Sequence, residues 1–285
     1  TPAQPRAAAV GERTTGSWPY PNAHDARREG QRLYRRVAAA QHHHLMDSLI
    51  PAAFKIFVVL HILFGSLGLV AFWVPVLGLK GGVQHRKWGR VFSVCMLVTG
   101  AAAVGISTCT LLDPLGTHPH LTDPAWIRGI FGWMMQGLAI LTLNLAWYGW
   151  LCVQNRERHE ANLEWRNLAL QATLLVASIH CAYQSWRADL PLMLGMPAIG
   201  LATVATNLWF LYKPQRRPLD WLREHIKALV GAGISVYTAF FAFGAVRTVP
   251  ALALHPGLWA IPLVVGLGLI LYHQAAVARR APARG

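Results

Sequence analysis

The sequence contains seven long apolar segments, and each is long enough to cross a lipid bilayer as a helix. They cover residues 53–79, 91–112, 127–153, 168–186, 191–212, 227–247 and 258–277. The hydrocarbon core of a bilayer takes about 20 apolar residues per helix. A soluble helix needs only an apolar stripe on one face. The pattern therefore predicts an all-α fold, a polytopic transmembrane helix bundle with seven spans.

Charged residues are scarce, and most of them are basic. They make up 13% of the chain, which carries a formal net charge of +14, whereas about 25% is usual for a soluble domain. Lys and Arg gather between the apolar segments rather than in a separate basic domain. This distribution favours contact with the anionic head groups of a lipid bilayer. We expect no nucleic-acid partner.

Basic residues occupy alternate loops, and this pattern predicts the topology. The loops at 80–90, 154–167 and 213–227 and the C-terminus are rich in Lys and Arg, while the remaining loops hold only Arg128, Arg187 and Arg247. Basic loops face the cytoplasm. The pattern places the C-terminus inside and the N-terminus outside, in the plasma (inner) membrane of a bacterial cell. The arginines of the N-terminal tail oppose this orientation.

The sequence predicts three parts. Residues 1–50 comprise a flexible tail over 1–22, rich in Pro, Ala and Gly, and a basic helix over 24–44 that lies on a lipid surface. Residues 51–278 form the seven-helix transmembrane domain, and 279–285 form a basic cytoplasmic tail.

Several classes of function lack the residues they need. No carboxylate lies in the middle of an apolar segment, whereas proton-coupled transporters commonly use one there. The last apolar segment has no Lys for a retinal Schiff base. Signatures of nucleotide hydrolysis, zinc proteases, α/β-hydrolases and c-type haem attachment are also missing. Catalytic residues are therefore not identified, and a transporter is the third choice of function.

Two histidines lie at matching depth in different apolar segments. With the predicted topology, His61 and His180 each fall six to nine residues from the outer end, or about 9–14 Å deep at 1.5 Å per residue. Axial ligation of a b-type haem requires two imidazoles in this relation. They are candidate haem iron ligands. The alternative is that each histidine packs between helices with a hydrogen bond.

A second group of histidines lies at the predicted cytoplasmic ends of the spans. It consists of His85, His225 and His273, with basic neighbours in Arg86, Lys87, Arg90, Arg223 and Lys227. Cations are unfavourable at helix N-termini, so two such clusters suggest a shared anion. A haem with its propionates on the basic residues, a quinone head group and an anionic lipid head group all fit. We expect the second and sixth spans to be neighbours.

Two stretches resemble a known family. The first is Lys80-Gly81-Gly82-x-x-His85-Arg86-x-x-Gly89-Arg90, followed by an apolar helix, and the second runs from Arg223 to Phe241. Both are similar to signatures of uncharacterised bacterial multi-pass membrane proteins. The resemblance implies the fold and marks His85 and His225, but it implies no activity. A weaker likeness to cytochrome b561-type proteins rests on the paired helix histidines.

The sequence thus predicts a haem b-binding or quinone-interacting electron-transfer protein. The alternative is a non-catalytic accessory or assembly subunit, with other membrane subunits as its partners.

Overall fold

The computed structural model describes residues 23–188, 194–244 and 255–280, and every regular element within them is helical. The prediction of an all-α fold is confirmed there. The predicted flexible tail 1–22 and residues 281–285 of the basic tail lie outside the described residues. The chain divides into residues 1–47 and 48–285. In the first unit, the predicted basic stretch is helical from Ala23 onward, and its described arginines are exposed.

Nine α-helices follow in order along the described chain. They are α1 (Ala23–Leu77), α2 (Val83–Leu112), α3 (Pro114–Thr117), α4 (Pro124–Ile127), α5 (Met135–Gln154), α6 (Trp165–Ala188), α7 (Gly195–Leu211), α8 (Asp220–Ala239) and α9 (Pro256–Arg280). A π-helical segment, Arg128–Met134, joins α4 to α5, and another, Phe240–Gly244, extends α8. A 3₁₀ segment, His159–Leu163, precedes α6.

Five of these segments are long and apolar enough to cross a membrane. They are Leu49–Leu77, Val83–Leu112, Pro124–Gln154, Asp220–Gly244 and Gly257–Arg279. The chain is therefore a multi-pass helical membrane protein by the length and composition of its helices. These five helices correspond to five of the seven predicted spans. The crossings predicted for 168–186 and 191–212 stay predictions.

The two other long helices, α6 and α7, fall short of a fully apolar span for different reasons. Helix α6 carries polar residues on one face, and Asn167, Gln171, Ser178 and Ser185 are buried there. Its outward face is apolar, with Val176 and Ile179 exposed. Helix α7 is apolar but has only 17 residues, or about 26 Å at 1.5 Å per residue.

Helix α5 is the centre of the bundle. It packs against α2, α6 and α8, while α9 packs on α8 and α7 packs on α6. The membrane span that contains α5, Pro124–Gln154, is more buried than the other four spans. The lipid-facing helices α1 and α9 are the least buried. This arrangement matches a membrane bundle, whose outer helices expose apolar side chains to lipid.

Small residues allow close contacts between several helices. A methyl group added at Gly200 would lie 2.1 Å from Ser178 Oγ, and one at Gly233 would lie 2.4 Å from Phe72 Cε2. Gly231 approaches Leu145 in the same way. At Gly195 an added Cβ meets none of the described atoms within 4 Å.

Two spans begin earlier than the apolar pattern predicts. Helix α2 starts at Val83 rather than at residue 91, and α8 starts at Asp220 rather than at residue 227. Helical segments continue beyond the hydrocarbon because polar residues are good helix formers too. The predicted basic clusters therefore lie on the first turns of α2 and α8 instead of in loops.

Candidate functional site: a basic cavity lined by histidines

One end of the bundle encloses a cavity of about 650 Å³. It lies among the C-terminal ends of α1, α5 and α9 and the N-terminal ends of α2 and α8. Most of its wall is apolar, and its aromatic members are Phe72, Phe92, Trp150, Trp221 and Tyr272. Ligand cavities in proteins commonly measure about 300–1,000 Å³. The cavity has the size and the lining for a substantial amphiphilic molecule.

The α1–α2 loop and the start of α2 place basic side chains at this cavity. Gly81 adopts a positive φ of 75°, which glycine tolerates without steric cost. The turn lets Arg86 Nη1 donate a hydrogen bond to the Gly81 carbonyl at 2.7 Å. Lys80 Nζ donates to the carbonyl oxygens of Pro75, at 2.9 Å, and Val76 at the end of α1. Partial burial lowers the pKa of Lys80 because its charged form loses hydration.

Two of the predicted histidines meet at the cavity and are held in the same way. His85 Nδ1 lies 3.1 Å from the Pro75 carbonyl oxygen, and His225 Nδ1 lies 3.1 Å from the Gly149 carbonyl oxygen. A carbonyl can only accept, so Nδ1 must carry the proton and donate in both contacts. In the neutral ring, Nε2 then has a free lone pair. Each imidazole is fixed in orientation by another helix.

His273 of α9 completes the set of histidines around the cavity. It is half-buried, and its ring lies 5.2 Å from the Tyr272 ring, edge to face. The structure therefore brings together His85, His225 and His273 from three helices that are distant in sequence.

The charge of the cavity wall has a single sign. Four permanently basic side chains line it, namely Lys80, Arg86, Arg90 and Arg156, and its described wall contains no Asp or Glu. Partly buried charges are screened less than exposed ones. A bound acidic group would gain from several cations at once, and Arg can hold a carboxylate or phosphate through two hydrogen bonds.

The other predicted anion-binding residues lie elsewhere. Lys87 and Arg223 are not part of the cavity wall. Lys227 faces the opposite side of α8, where its Nζ lies 2.5 Å from Glu224 Oε2. Tyr148 OH donates to the same oxygen at 2.7 Å. Lys227 is thus neutralised by a carboxylate of its own helix, and its Nζ also donates to Thr206 Oγ1 of α7 at 3.2 Å.

Among the described residues, His61 and His180 make their contacts with different partners. His61 Nδ1 lies 3.1 Å from the Thr99 carbonyl oxygen of α2. His180 packs edge to face on Trp133 at 4.3 Å, and its Nε2 lies 3.1 Å from Gln184 Nε2. A groove of about 440 Å³ beside α5 and α6 is lined by His180 and not by His61. Each histidine therefore contacts a different neighbour.

Some residues of the cavity carried no signal in the sequence. Phe72 and Trp150 belong to apolar segments rich in such residues, and Trp221 belongs to the predicted loop at 213–227. Only the fold places these three side chains at the cavity wall. Arg156 belongs to a loop that the sequence marked only as basic. Among the residues that the structure describes, no three His, Cys, Asp or Glu side chains are grouped to hold a metal ion.

No family model, no curated protein and no solved structure matches this chain. Its function must therefore be inferred from its own residues and their geometry.

Proposed function

We propose that this membrane protein binds b-type haem in the basic cavity and acts in electron transfer. The main support is that His85 and His225, from two different helices, line the same cavity. The Nδ1 atom of each ring donates a hydrogen bond to a backbone carbonyl. Their Nε2 atoms would hold the haem iron. A haem bound there would supply one-electron redox chemistry.

The hydrogen bonds of the two imidazoles support iron ligation. A ligating histidine almost always donates its other ring N–H to a carboxylate, a carbonyl or water, which fixes its tautomer and orientation. Pro75 and Gly149 supply such carbonyls.

The wall of the cavity suits the rest of a haem. The macrocycle is apolar and planar, and the aromatic side chains of the wall offer it apolar surface. The two propionates are anionic, and Arg86, Arg90 and Arg156 offer them guanidinium groups. The described part of the wall contains no carboxylate that would repel the propionates.

The loop charges support the proposed position of this cavity in the membrane. The cavity is lined by residues from 80–90, from 154–156 and from the start of α8, which are the stretches that the sequence marks as basic. Basic loops lie on the cytoplasmic side. We therefore place the haem near the inner surface of a bacterial plasma membrane, in a bundle of seven spans with its C-terminus inside.

The same geometry favours one alternative ligand class, an acidic or hydroxyl-bearing amphiphile. An imidazole whose Nδ1 donates to a carbonyl can accept a hydrogen bond at Nε2, and a quinol hydroxyl can donate it. An anionic phospholipid would place its phosphate on Arg86 and Arg90. The protein would then serve as a quinol- or lipid-binding accessory subunit.

Optical spectra of the purified protein, oxidised and dithionite-reduced, test the haem proposal. We expect a Soret band and a sharp reduced α-band. His85→Ala and His225→Ala should each abolish or shift both bands, because each removes one axial ligand. His180→Ala is the matched control, since it removes a membrane histidine that does not line the cavity, and its spectrum should equal that of the wild type.

Two results would contradict the proposal. One is a folded, colourless preparation that contains no iron, which would promote the accessory-subunit alternative. The other is a spectrum that depends on His61 and His180 and is unchanged in both cavity variants.

A further inference from the structure

A second polar feature lies apart from the basic cavity, in the interface of α5, α6 and α7. Buried amide side chains form a continuous hydrogen-bonded network there. Its members are Asn144 of α5, Asn207 of α7, Gln171 and Asn167 of α6, Asn162 of the 3₁₀ segment and Asn155 at the end of α5. Asn144 and Asn207 have no exposed surface, and none of the members is charged.

A backbone carbonyl fixes the orientation of the amides in this network. Asn167 Nδ2 donates to the Asn162 main-chain oxygen at 2.7 Å, and a carbonyl can only accept. The Asn167 Oδ1 atom must therefore face Gln171, whose Nε2 donates to it at 3.3 Å. The oxygen and nitrogen of an amide are hard to distinguish by shape alone, but here chemistry assigns them.

The same logic continues to the end of the network. Because Gln171 Nε2 donates to Asn167, Gln171 Oε1 must face Asn207, and it accepts a hydrogen bond from Asn207 Nδ2 at 3.3 Å. Asn207 Nδ2 also donates to Asn144 Oδ1 at 3.2 Å. One acceptor, Asn207 Oδ1, and one donor group, Asn144 Nδ2, then remain without a partner among the described residues.

Leaving both atoms unpaired inside a membrane bundle is costly. A buried donor or acceptor that loses its hydrogen bond to water without gaining another raises the free energy of the folded state. The two atoms belong to side chains that already touch, and they need opposite partners. Whatever completes the network must donate one hydrogen bond and accept another. It must also be small and neutral, because the surrounding amides offer no countercharge.

We infer that a single water molecule is bound between Asn144 and Asn207. It accepts a hydrogen bond from Asn144 Nδ2 and donates one to Asn207 Oδ1. Buried waters in proteins typically bridge such otherwise unsatisfied groups. The water closes a network that joins α7 to α5 and α6, which explains how the polar face of α6 is tolerated within a membrane bundle.

A structure of the full chain in a lipid nanodisc, at a resolution that shows ordered waters, tests the inference. We expect a density peak about 2.7–3.2 Å from both Asn144 Nδ2 and Asn207 Oδ1. A direct hydrogen bond between these two atoms, with no peak between the side chains, would overturn it. This measurement uses the wild type and so does not depend on any variant folding.

A variant adds a second, independent readout. Asn144→Leu removes the donor at similar side-chain size, so the density peak should disappear and the apparent Tm should fall. Thr173→Val is the matched control on α6, because its exposed hydroxyl bonds only the Ala169 carbonyl of its own helix, at 2.8 Å. A peak that persists in Asn144→Leu would show that Asn144 does not hold the water.

Discussion

Replacing Gly233 of α8 by alanine should destabilise the bundle and distort the basic cavity at the same time. A Cβ at this position would lie 2.4 Å from Phe72 Cε2 and 2.9 Å from both Cδ2 and Cζ of the same ring. Carbon atoms in good contact are about 3.5–4.0 Å apart. The ring must therefore withdraw by about 1 Å or the two helices must separate.

The surroundings of Phe72 oppose that movement. Its ring packs on Phe92 and Tyr237, with centroids 5.4 and 6.0 Å away, and its side chain is buried. Overpacking of this kind costs about 1–3 kcal/mol. Replacing a helical glycine by alanine returns about 0.5–1 kcal/mol of conformational entropy. We expect a net loss of about 1–2 kcal/mol in the free energy of unfolding.

Unfolding by sodium dodecyl sulfate in mixed micelles, followed by circular dichroism, measures this loss. Gly268→Ala on α9 is the matched control, because an added Cβ there meets none of the described atoms within 4 Å. It should be neutral or slightly stabilising. Phe72 also lines the cavity, so only Gly233→Ala should lower ligand occupancy. If Gly233→Ala matched Gly268→Ala in both stability and occupancy, the close approach of α1 and α8 would be refuted.

Three further predictions follow from individual side chains. His118, between α3 and α4, stacks on Phe131 with centroids 4.5 Å apart, and burial, with the nearby charge of His120, lowers its pKa. The unfolded chain then binds the extra proton first, so the apparent Tm should fall as pH drops below about 6.5, and less so in His118→Gln. Lys80→Ala, which removes the donor to the last carbonyls of α1, should cost about 0.3–1 kcal/mol in the same micelle titration. In a variant without native cysteines, an impermeant maleimide should label Arg158→Cys only after cells are opened, and labelling of intact cells would reverse the topology. The thiols removed for that test are buried, namely Cys95, Cys109, Cys152 and Cys181.

The sequence was sufficient to predict the fold class and the five clearest spans. Long apolar segments identify membrane helices because lipid requires an apolar surface over the whole span. The same rule is weaker for α6, whose polar face is satisfied by Asn and Gln partners inside the bundle. Hydropathy counts those side chains as polar whether or not they face lipid.

The candidate site was predictable only in part. The basic cluster of His85, Arg86 and Arg90 before the second span, and the basic residues before the sixth, pointed to an anion at the predicted cytoplasmic end. Depth alone could not pair His61 with His180, since residues at equal depth can lie on opposite sides of a bundle. It is helix order around α5 that decides which histidines meet, and one sequence does not specify that order. Lys227 was misleading because its partner Glu224 is only three residues away.

Native mass spectrometry of protein released from nanodiscs tests most directly whether the basic cavity is a ligand site. Gly89 lines the cavity, and a Cβ there meets none of the described atoms within 4 Å. The backbone at Gly89 therefore has room for a Cβ, so Gly89→Phe should place a ring in the space that the ligand would occupy, and Gly268→Phe adds the same bulk on α9. We predict that the wild type and Gly268→Phe carry one haem, while Gly89→Phe carries none. A wild-type protein that carries no ligand, or a Gly89→Phe protein that keeps its haem, would contradict the assignment of the cavity.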